Sequence, residues 1–232
     1  MDGSVVVIGG SAGLGKAIAS HYADAGHDVV VTSRDKARAE ATAQEIGGSS
    51  RGIAVDLTRP AEIRSALAEI GPVRYLVIAA IERDENTVAD FDVAGATSLT
   101  TLKLVGYPEV IHSLRDRLTE DASVVLFGGL AKDRPYPGST MVTTVNGGIT
   151  TLINTLSVEL APIRFNAIHP GIVGDTPYWA AKPPEVLEGV RSRTPTGRLV
   201  TTADIVDAVR FLLENPGVNA VNLRVDGGTL LG

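Results

Sequence analysis

Val5-Val6-Val7-Ile8-Gly9-Gly10-Ser11-Ala12-Gly13-Leu14-Gly15-Lys16-Ala17-Ile18-Ala19 decides how this chain is read. Val5 to Ile8 is an apolar run, a glycine-rich turn follows at once, and Lys16 to Ala19 opens a helical pattern. A buried strand that turns through glycines into a helix is a place for a pyrophosphate. Glycines permit the tight turn, let phosphate oxygens approach the backbone and let helix and strand pack closely. The helix N-terminus adds free N–H groups and the positive end of its dipole. Glycines also serve plain turns; the position between strand and helix gives this run its meaning.

Working outward, strands and helices alternate. Val29 to Thr32 reads as a second strand and Asp35 to Ile46 as a helix. Gly52 to Val55 is a third strand, followed by a helix from about Pro60 to Glu69. Tyr75 to Ala80 and Ser123 to Phe127 are the fourth and fifth strands, and a long helix runs from about Ser139 to Leu160. Arg164 to Ile168 and Val221 to Val225 complete seven strands. Most are continuous apolar runs, as a parallel sheet covered on both faces requires. The alternation predicts an α/β fold with a doubly wound parallel sheet. Two Pro/Gly-rich pieces, residues 133–139 and 170–184, are expected as loops at the carboxyl ends of strands, where such sheets bind ligands.

Composition bounds the function. The 232 residues suit one domain spanning 1–232, and 44% hydrophobic content suits a globular core. With 21 basic and 27 acidic residues the net charge is -6, which argues against a nucleic-acid partner and suits a cytoplasmic protein. There is no cysteine, so disulfides, thiolate nucleophiles and cysteine metal sites are excluded. His21, His27 and His112 lack metal-ligand spacing, and no metal is expected. No apolar run reaches ~18 residues, so no membrane span is expected. Met1-Asp2-Gly3-Ser4 lacks the basic and apolar regions of a secretory signal.

The residue after the second strand reports on the cofactor. In a dinucleotide fold this position faces the adenosine ribose, and here it is Ser33-Arg34. An acidic residue would accept from the ribose hydroxyls of NAD, whereas an arginine offers a planar fork to a 2′-phosphate. NADP(H) is therefore favoured over NAD(H), although a solvated arginine capping a strand would look the same. Asp56, after the third strand, suits the adenine amino group or, equally, the N-cap of a following turn.

Further residues make the chain resemble the short-chain dehydrogenase/reductase family along nearly its whole length. Gly9, Gly13 and Gly15 have the family's spacing, and Asp56-Leu57 follows the third strand. Ser157-Val158-Glu159-Leu160-Ala161-Pro162 ends the long helix, and Arg164-Phe165-Asn166-Ala167-Ile168-His169-Pro170-Gly171 matches the strand and Pro-Gly turn near the nicotinamide. Gly197-Arg198-Leu199 and Val225-Asp226-Gly227-Gly228 match the C-terminal segment. The resemblance implies a single-domain Rossmann fold with helices on both faces of the sheet. It also implies a dinucleotide cofactor, a small-molecule substrate, a homodimer or homotetramer, and a substrate-covering loop over about 172–198. Cofactor contacts implied are Gly9, Ser11, Ala12, Gly13, Leu14, Gly15, Ser33, Arg34, Asp56, Leu57, Ala79, Asn146, Pro170, Gly171, Ile172 and Val173.

The family's catalytic positions do not match. Members carry Tyr-x-x-x-Lys on the long helix, a serine about thirteen residues before the tyrosine, and an asparagine on the preceding helix. Counting back from Ser157-Val158-Glu159-Leu160-Ala161 puts Val142 at the tyrosine, Asn146 at the lysine, Gly128 or Gly129 at the serine, and Lys103 near the asparagine. The usual Asn-Asn-Ala-Gly after the fourth strand is Ile78-Ala79-Ala80-Ile81. Loss of a positioned acid typically lowers the rate ~10²–10⁴-fold, and loss of a donor to the developing oxyanion a further ~10²-fold or more.

Other residues compete for the role. Lys103 faces the vacant centre as acid or anion clamp, or is a helix-surface lysine. Tyr136, with Asp133 and Arg134, lies near the usual substrate mouth, while Thr143 and Thr144 flank the vacant tyrosine position. His169 is either close to the nicotinamide or a packed, hydrogen-bonded histidine. Tyr178-Trp179-Ala180-Ala181-Lys182 repeats the Tyr-x-x-x-Lys spacing, but Pro183-Pro184 follow. Tyr178 and Trp179 read better as apolar walls of the substrate pocket. Three functions remain open: an NADP(H)-dependent oxidoreductase with an altered proton path, an NADP(H)-binding member without turnover, and an isomerase or cyclase that reuses the pocket.

Overall fold

The computed structural model describes residues 3–232; Met1 and Asp2, half of the segment read as lacking a secretory signal, lie outside it. Seven parallel strands form one sheet: β1 Ser4–Ile8, β2 Val29–Ser33, β3 Ser50–Ala54, β4 Val73–Ile78, β5 Leu118–Phe127, β6 Arg164–Pro170 and β7 Asn222–Val225. Their order is β3-β2-β1-β4-β5-β6-β7. This is the doubly wound parallel sheet expected from the alternation, in the Rossmann form the resemblance implied. The order reverses between β1 and β4, and the crevice outside the carboxyl ends of strands at such a reversal takes ligands.

The central strand segments Val5–Ile8, Val29–Val31, Tyr75–Ile78 and Val124–Phe127 are apolar without a break because their two faces feed two cores. Val6, Ile8, Val30, Leu76, Ile78, Val124 and Leu126 face one cluster. Val5, Val7, Val29, Val31, Val77, Val125 and Phe127 face the other. The first cluster is closed by α3 (Pro60–Ala66), by a long helix over residues 93–114, and by α6 (Thr140–Glu159). The second is closed chiefly by α1 (Gly13–Asp24), α2 (Lys36–Ile46) and α9 (Thr202–Glu214).

Several boundaries differ from the sequence reading. β3 starts at Ser50 rather than Gly52, and α3 ends at Ala66 rather than Glu69. β4 runs Val73–Ile78 rather than Tyr75–Ala80, because its neighbour β1 ends at Ile8, opposite Ile78, where the glycine turn begins. β5 begins at Leu118, its first half carrying exposed Glu120 and Asp121 and therefore lacking the apolar signature.

The long helix over 93–114 was not legible from periodicity. It consists of α4 (Val93–Thr100), a π-helical turn (Thr101–Gly106) and α5 (Tyr107–Leu114), with helical backbone at each junction. Pro108 has no N–H for the ladder bond to the Leu104 carbonyl. Gly106 packs so tightly that a Cβ would stand 2.7 Å from the Leu57 carbonyl oxygen. A widened turn accommodates both, and such turns gather at functional sites. Lys103 sits within it.

Two short helices, α7 (Pro177–Ala180) and α8 (Pro184–Arg191), lie between β6 and α9. No helix among the described residues is long and apolar enough to cross a membrane.

Candidate functional site: the carboxyl edge of the sheet

The glycine turn divides its work among three residues. Gly9 has φ +80°, and a Cβ there would stand 2.7 Å from the Ala80 backbone. Its N–H donates to Thr32 Oγ1 at 3.0 Å. A Cβ at Gly15 would run into the Gly9 carbonyl oxygen, so this glycine lets α1 pack on the turn. Gly13 has φ +51°, and a methyl added there would meet nothing within 4 Å, so the turn is open at this point. Ala12 is the N-cap of α1 and supplies no side-chain cap. The first N–H groups of α1 thus keep no side-chain acceptor, and the helix dipole favours an anion there. Glycines where space is needed and an uncapped N-terminus fit a pyrophosphate.

Around the turn, the other sequence-predicted contacts divide. Ser33 Oγ accepts from the Asp35 N–H at 3.3 Å. Arg34 reaches into solvent, its nearest carboxylate oxygen being Glu82 Oε1 at 3.6 Å. Glu82 also accepts from Ser98 Oγ at 2.7 Å. Asp56 Oδ1 accepts from the Thr58 N–H at 2.9 Å and from Thr58 Oγ1 at 2.7 Å, which is the turn-capping role. Leu57 is buried in the core. The Ala79 N–H donates to the Ile8 carbonyl at 2.9 Å.

Beside β5 and β6 lies a buried polar group. Lys103 is 2% exposed, not a helix-surface lysine. Its Nζ donates to the Phe127 carbonyl at 2.8 Å and to Asn146 Oδ1 at 3.1 Å. Burial without a carboxylate partner pushes the Lys103 amine down from 10.5 to about 7. Asn146, on α6, is also buried, and its Nδ2 lies 2.7 Å from where a Cβ on Gly129 would stand.

His169 is fully buried. Its Nδ1 accepts from the Gly129 N–H at 3.1 Å, which assigns the proton to Nε2, and Nε2 donates to Asn222 Oδ1 at 2.9 Å. Asn222 Nδ2 in turn donates to the Thr150 carbonyl at 3.1 Å. Burial holds the ring below its ordinary range, so it stays neutral. Both ring nitrogens are engaged, which is the packed histidine rather than a free acid. A Cβ at Gly128 would run into this ring, so no side chain fits at that position.

The remaining candidates lie further out. Val142 is half-buried and Tyr136 is 56% exposed. Thr143 Oγ1 donates to the Ala131 carbonyl at 3.1 Å and Thr144 Oγ1 to the Thr140 carbonyl at 2.8 Å. The Gly171 N–H donates to the Val225 carbonyl, and Val173 is buried beside Val200. Pro170 ends β6, and half-buried Ile172 follows Gly171. Tyr178 packs edge to face on Trp179. Lys182 lies past the end of α7, its Nζ 4.4 Å above the Tyr178 ring rather than at the hydroxyl. Arg83 covers the same ring at 3.1 Å.

Sequence reasoning missed Arg83, Asn222 and the Phe127 carbonyl. Arg83 carried no signal beyond its charge. Asn222 and the carbonyl become partners only through the order of β5, β6 and β7.

The profile of a family described as enoyl-(acyl carrier protein) reductase matches residues 9–229. A 3-oxoacyl-[acyl-carrier-protein] reductase of Mus musculus is 29% identical, over 100% of this chain and 99% of its own length. Carbonyl reductase family member 4 of Danio rerio is 30% identical, again over 100% and 99%. Among solved structures, a short chain dehydrogenase/reductase family protein superposes with TM-score 0.88 at 28% identity, covering 100% of this chain and 98% of that one.

Proposed function

Because the chain belongs to the short-chain dehydrogenase/reductase family, we propose that it is an NADP(H)-dependent oxidoreductase with an altered proton path, acting on a small organic substrate whose charge is already present or delocalised. The N–H groups of Gly13, Leu14 and Gly15 would hold the pyrophosphate, with Arg34 at the 2′-phosphate, Asp56 at the adenine through Oδ2 while Oδ1 caps the turn, and Asn146 and Ile172-Val173 on the nicotinamide side. When bound, the dinucleotide supplies or accepts the hydride.

The observation that carries the altered path is the pair across the site. By the register of Ser157 to Ala161, Val142 and Asn146 occupy the places of the family's phenol and amine. The nearest buried amine, Lys103, comes from the opposite helix and donates to Asn146. Valine has no proton to give. An alkoxide made from a simple ketone needs a positioned acid, whereas an iminium ion accepts hydride without one and a conjugated carbonyl spreads the charge as an enolate, which water then protonates at the α-carbon. The matched family's description, an enoyl reductase, denotes a double bond conjugated to a carbonyl, whereas the 3-oxoacyl reductase relatives are named for a ketone.

Maintaining Lys103 also argues against a silent, binding-only member, since a buried amine without a carboxylate partner lowers stability and a passive fold has no need of one. The test is NADPH oxidation with matched ketone, enone and imine substrates. Enone or imine turnover is expected, with the ketone slower by ~10²–10⁴-fold. Ketone reduction at rates equal to the enone would contradict the reading, as would NADPH oxidation with none of the three.

Arg34 gives a separate check on the cofactor. With Arg34→Leu, the charge-assisted contact to a 2′-phosphate is lost and Glu82 faces it unpaired. NADPH should bind roughly 10- to 100-fold more weakly, from ~1.5–3 kcal/mol for such a bond. NADH affinity should change little. Equal losses for both cofactors in a fluorescence titration would remove Arg34 from the 2′ position.

A further inference from the structure

We propose that Lys103 is a positioning residue that holds Asn146 with its amide NH₂ turned to the cleft beside Gly129, making this edge of the site a hydrogen-bond donor to a substrate carbonyl oxygen. The inference rests on reading the carboxyl edge as the dinucleotide and substrate site, and it names the substrate class that reading left open.

The logic begins with the ammonium. It has three donors and no acceptor, so only Oδ1 of Asn146 can face it, and the distance of 3.1 Å is to Oδ1. Nδ2 must then point away, and it is the Asn146 atom nearest to Gly129. Among the described residues Nδ2 makes no hydrogen bond, and it is not among the buried unpartnered side-chain atoms, so it is open to the cleft. The glycine matters here: a Cβ at 129 would stand 2.7 Å from Nδ2 and displace it. The donor therefore points where a side chain has been kept away.

The same geometry makes the donor conditional. A neutral amine still donates to the Phe127 carbonyl, but its lone pair can accept from Nδ2. Loss of the Lys103 proton thus permits the Asn146 amide to turn over and present Oδ1 to the cleft. An edge that can only offer N–H below the transition can offer an acceptor above it. The amine's displacement to about 7 puts that transition in the working range.

The surroundings leave this titration to one group. On the same helix Tyr107 faces Lys103, with Nζ 5.6 Å from its ring; its hydroxyl donates to the Ala80 carbonyl at 2.7 Å, and burial pushes its pKa far up. His169 on β6 is neutral, its pKa held down. Lys132, on the loop after β5, pairs with Asp133 at 2.8 Å. On α3, Glu62 and Arg64 are exposed; α6 carries no titratable residue before Glu159, and Glu120 and Asp121 are at the far end of β5. On α5, His112 is exposed against Arg64, and Glu109 accepts from Ser113.

A charged amine behind an outward N–H favours an oxygen that gains negative charge and disfavours a cation. Of the two substrate types above, a conjugated carbonyl compound fits and an iminium ion does not.

The test follows the Asn146 side-chain amide by nitrogen-15 NMR in the coenzyme-free protein, its signals assigned by their loss in Asn146→Leu. In wild type they are expected to titrate with a single midpoint near pH 7, and in Lys103→Met to stay still. With NADPH and an enone, KM is expected to rise up to tenfold per pH unit above the midpoint in wild type and to be flat in Lys103→Met. Amide signals that do not move between about pH 6 and pH 9, or that move equally in Lys103→Met, would overturn the proposal. NADPH binding separates the two readings. If the amide titrates but NADPH does not bind, the cofactor reading fails and the pair stands. If NADPH binds and the amide is static, the pair alone fails.

Discussion

Lys103→Met is expected to make the folded chain more stable while lowering its turnover of conjugated substrates. The Lys103 amine is buried with no carboxylate, and its pKa falls from 10.5 to about 7. That displacement corresponds to roughly 5 kcal/mol of penalty on the charged folded form. Methionine fills a similar volume without the charge. Against this gain, the Phe127 carbonyl loses a donor, which costs about 1–3 kcal/mol, while Asn146 can turn to water in the cleft. A net gain of about 2–4 kcal/mol remains, or roughly 4–16 °C in melting temperature for a chain of this size.

The sign with pH is a sharper check than the magnitude. The unfolded lysine holds its proton up to about 10.5, the folded one only to about 7. Between these values the unfolded state binds more protons, so wild-type stability rises with pH. The advantage of Lys103→Met is therefore largest below pH 7 and shrinks toward pH 10.5. Urea titrations of both proteins across that window measure it. A variant less stable than wild type at low pH, or a gap that ignores pH, would mean that Lys103 is not a buried amine of this kind.

The second large effect is expected at the glycine turn. In Gly15→Ala the added methyl collides with the Gly9 carbonyl oxygen, and neither atom is on a flexible side chain. Helix α1 must move off the turn, carrying the N–H groups of its first turn with it. Two charge-assisted hydrogen bonds at ~1.5–3 kcal/mol each correspond to a loss of roughly 10²-fold or more in NADPH affinity.

Gly13→Ala separates binding from folding. Its methyl meets nothing within 4 Å, and the φ of +51° adds strain of about 1–2 kcal/mol. This variant should melt only slightly lower than wild type yet still lose NADPH, because the methyl takes up the open side of the turn. Unchanged NADPH binding in both variants, by fluorescence or calorimetry, would move the dinucleotide elsewhere.

The fold was legible wherever burial left a periodic trace. β1, β2 and β4 alternate between two cores, so Val5–Ile8, Val29–Val31 and Tyr75–Ile78 are apolar at every position and stand out. The 93–114 helix did not stand out. Gly106 and Pro108 interrupt it, Val93, Thr97 and Thr101 are β-branched, and tertiary packing against α3 and α6 overrides those local preferences.

At the site, the glycine turn and Arg34 are local signals and were read directly. Lys103 was found only by counting register from Ser157. Its burial and its bond to Asn146, 43 positions away, are products of the topology. For the same reason the choice between a packed and a free His169 stayed open until Gly129 and Asn222 were seen on its two nitrogens. The Tyr178-to-Lys182 spacing misleads in the opposite direction. Without a helix through both residues, a spacing of four carries no shared face.

The most direct measurement is a crystal structure of the NADPH complex. The account predicts the pyrophosphate on the first turn of α1 and Asn146 Nδ2 within ~3 Å of an oxygen of the bound molecules, with Lys103 behind it. A tyrosine hydroxyl and a lysine amine together beside the nicotinamide ring, or a pyrophosphate away from Gly13, would contradict it.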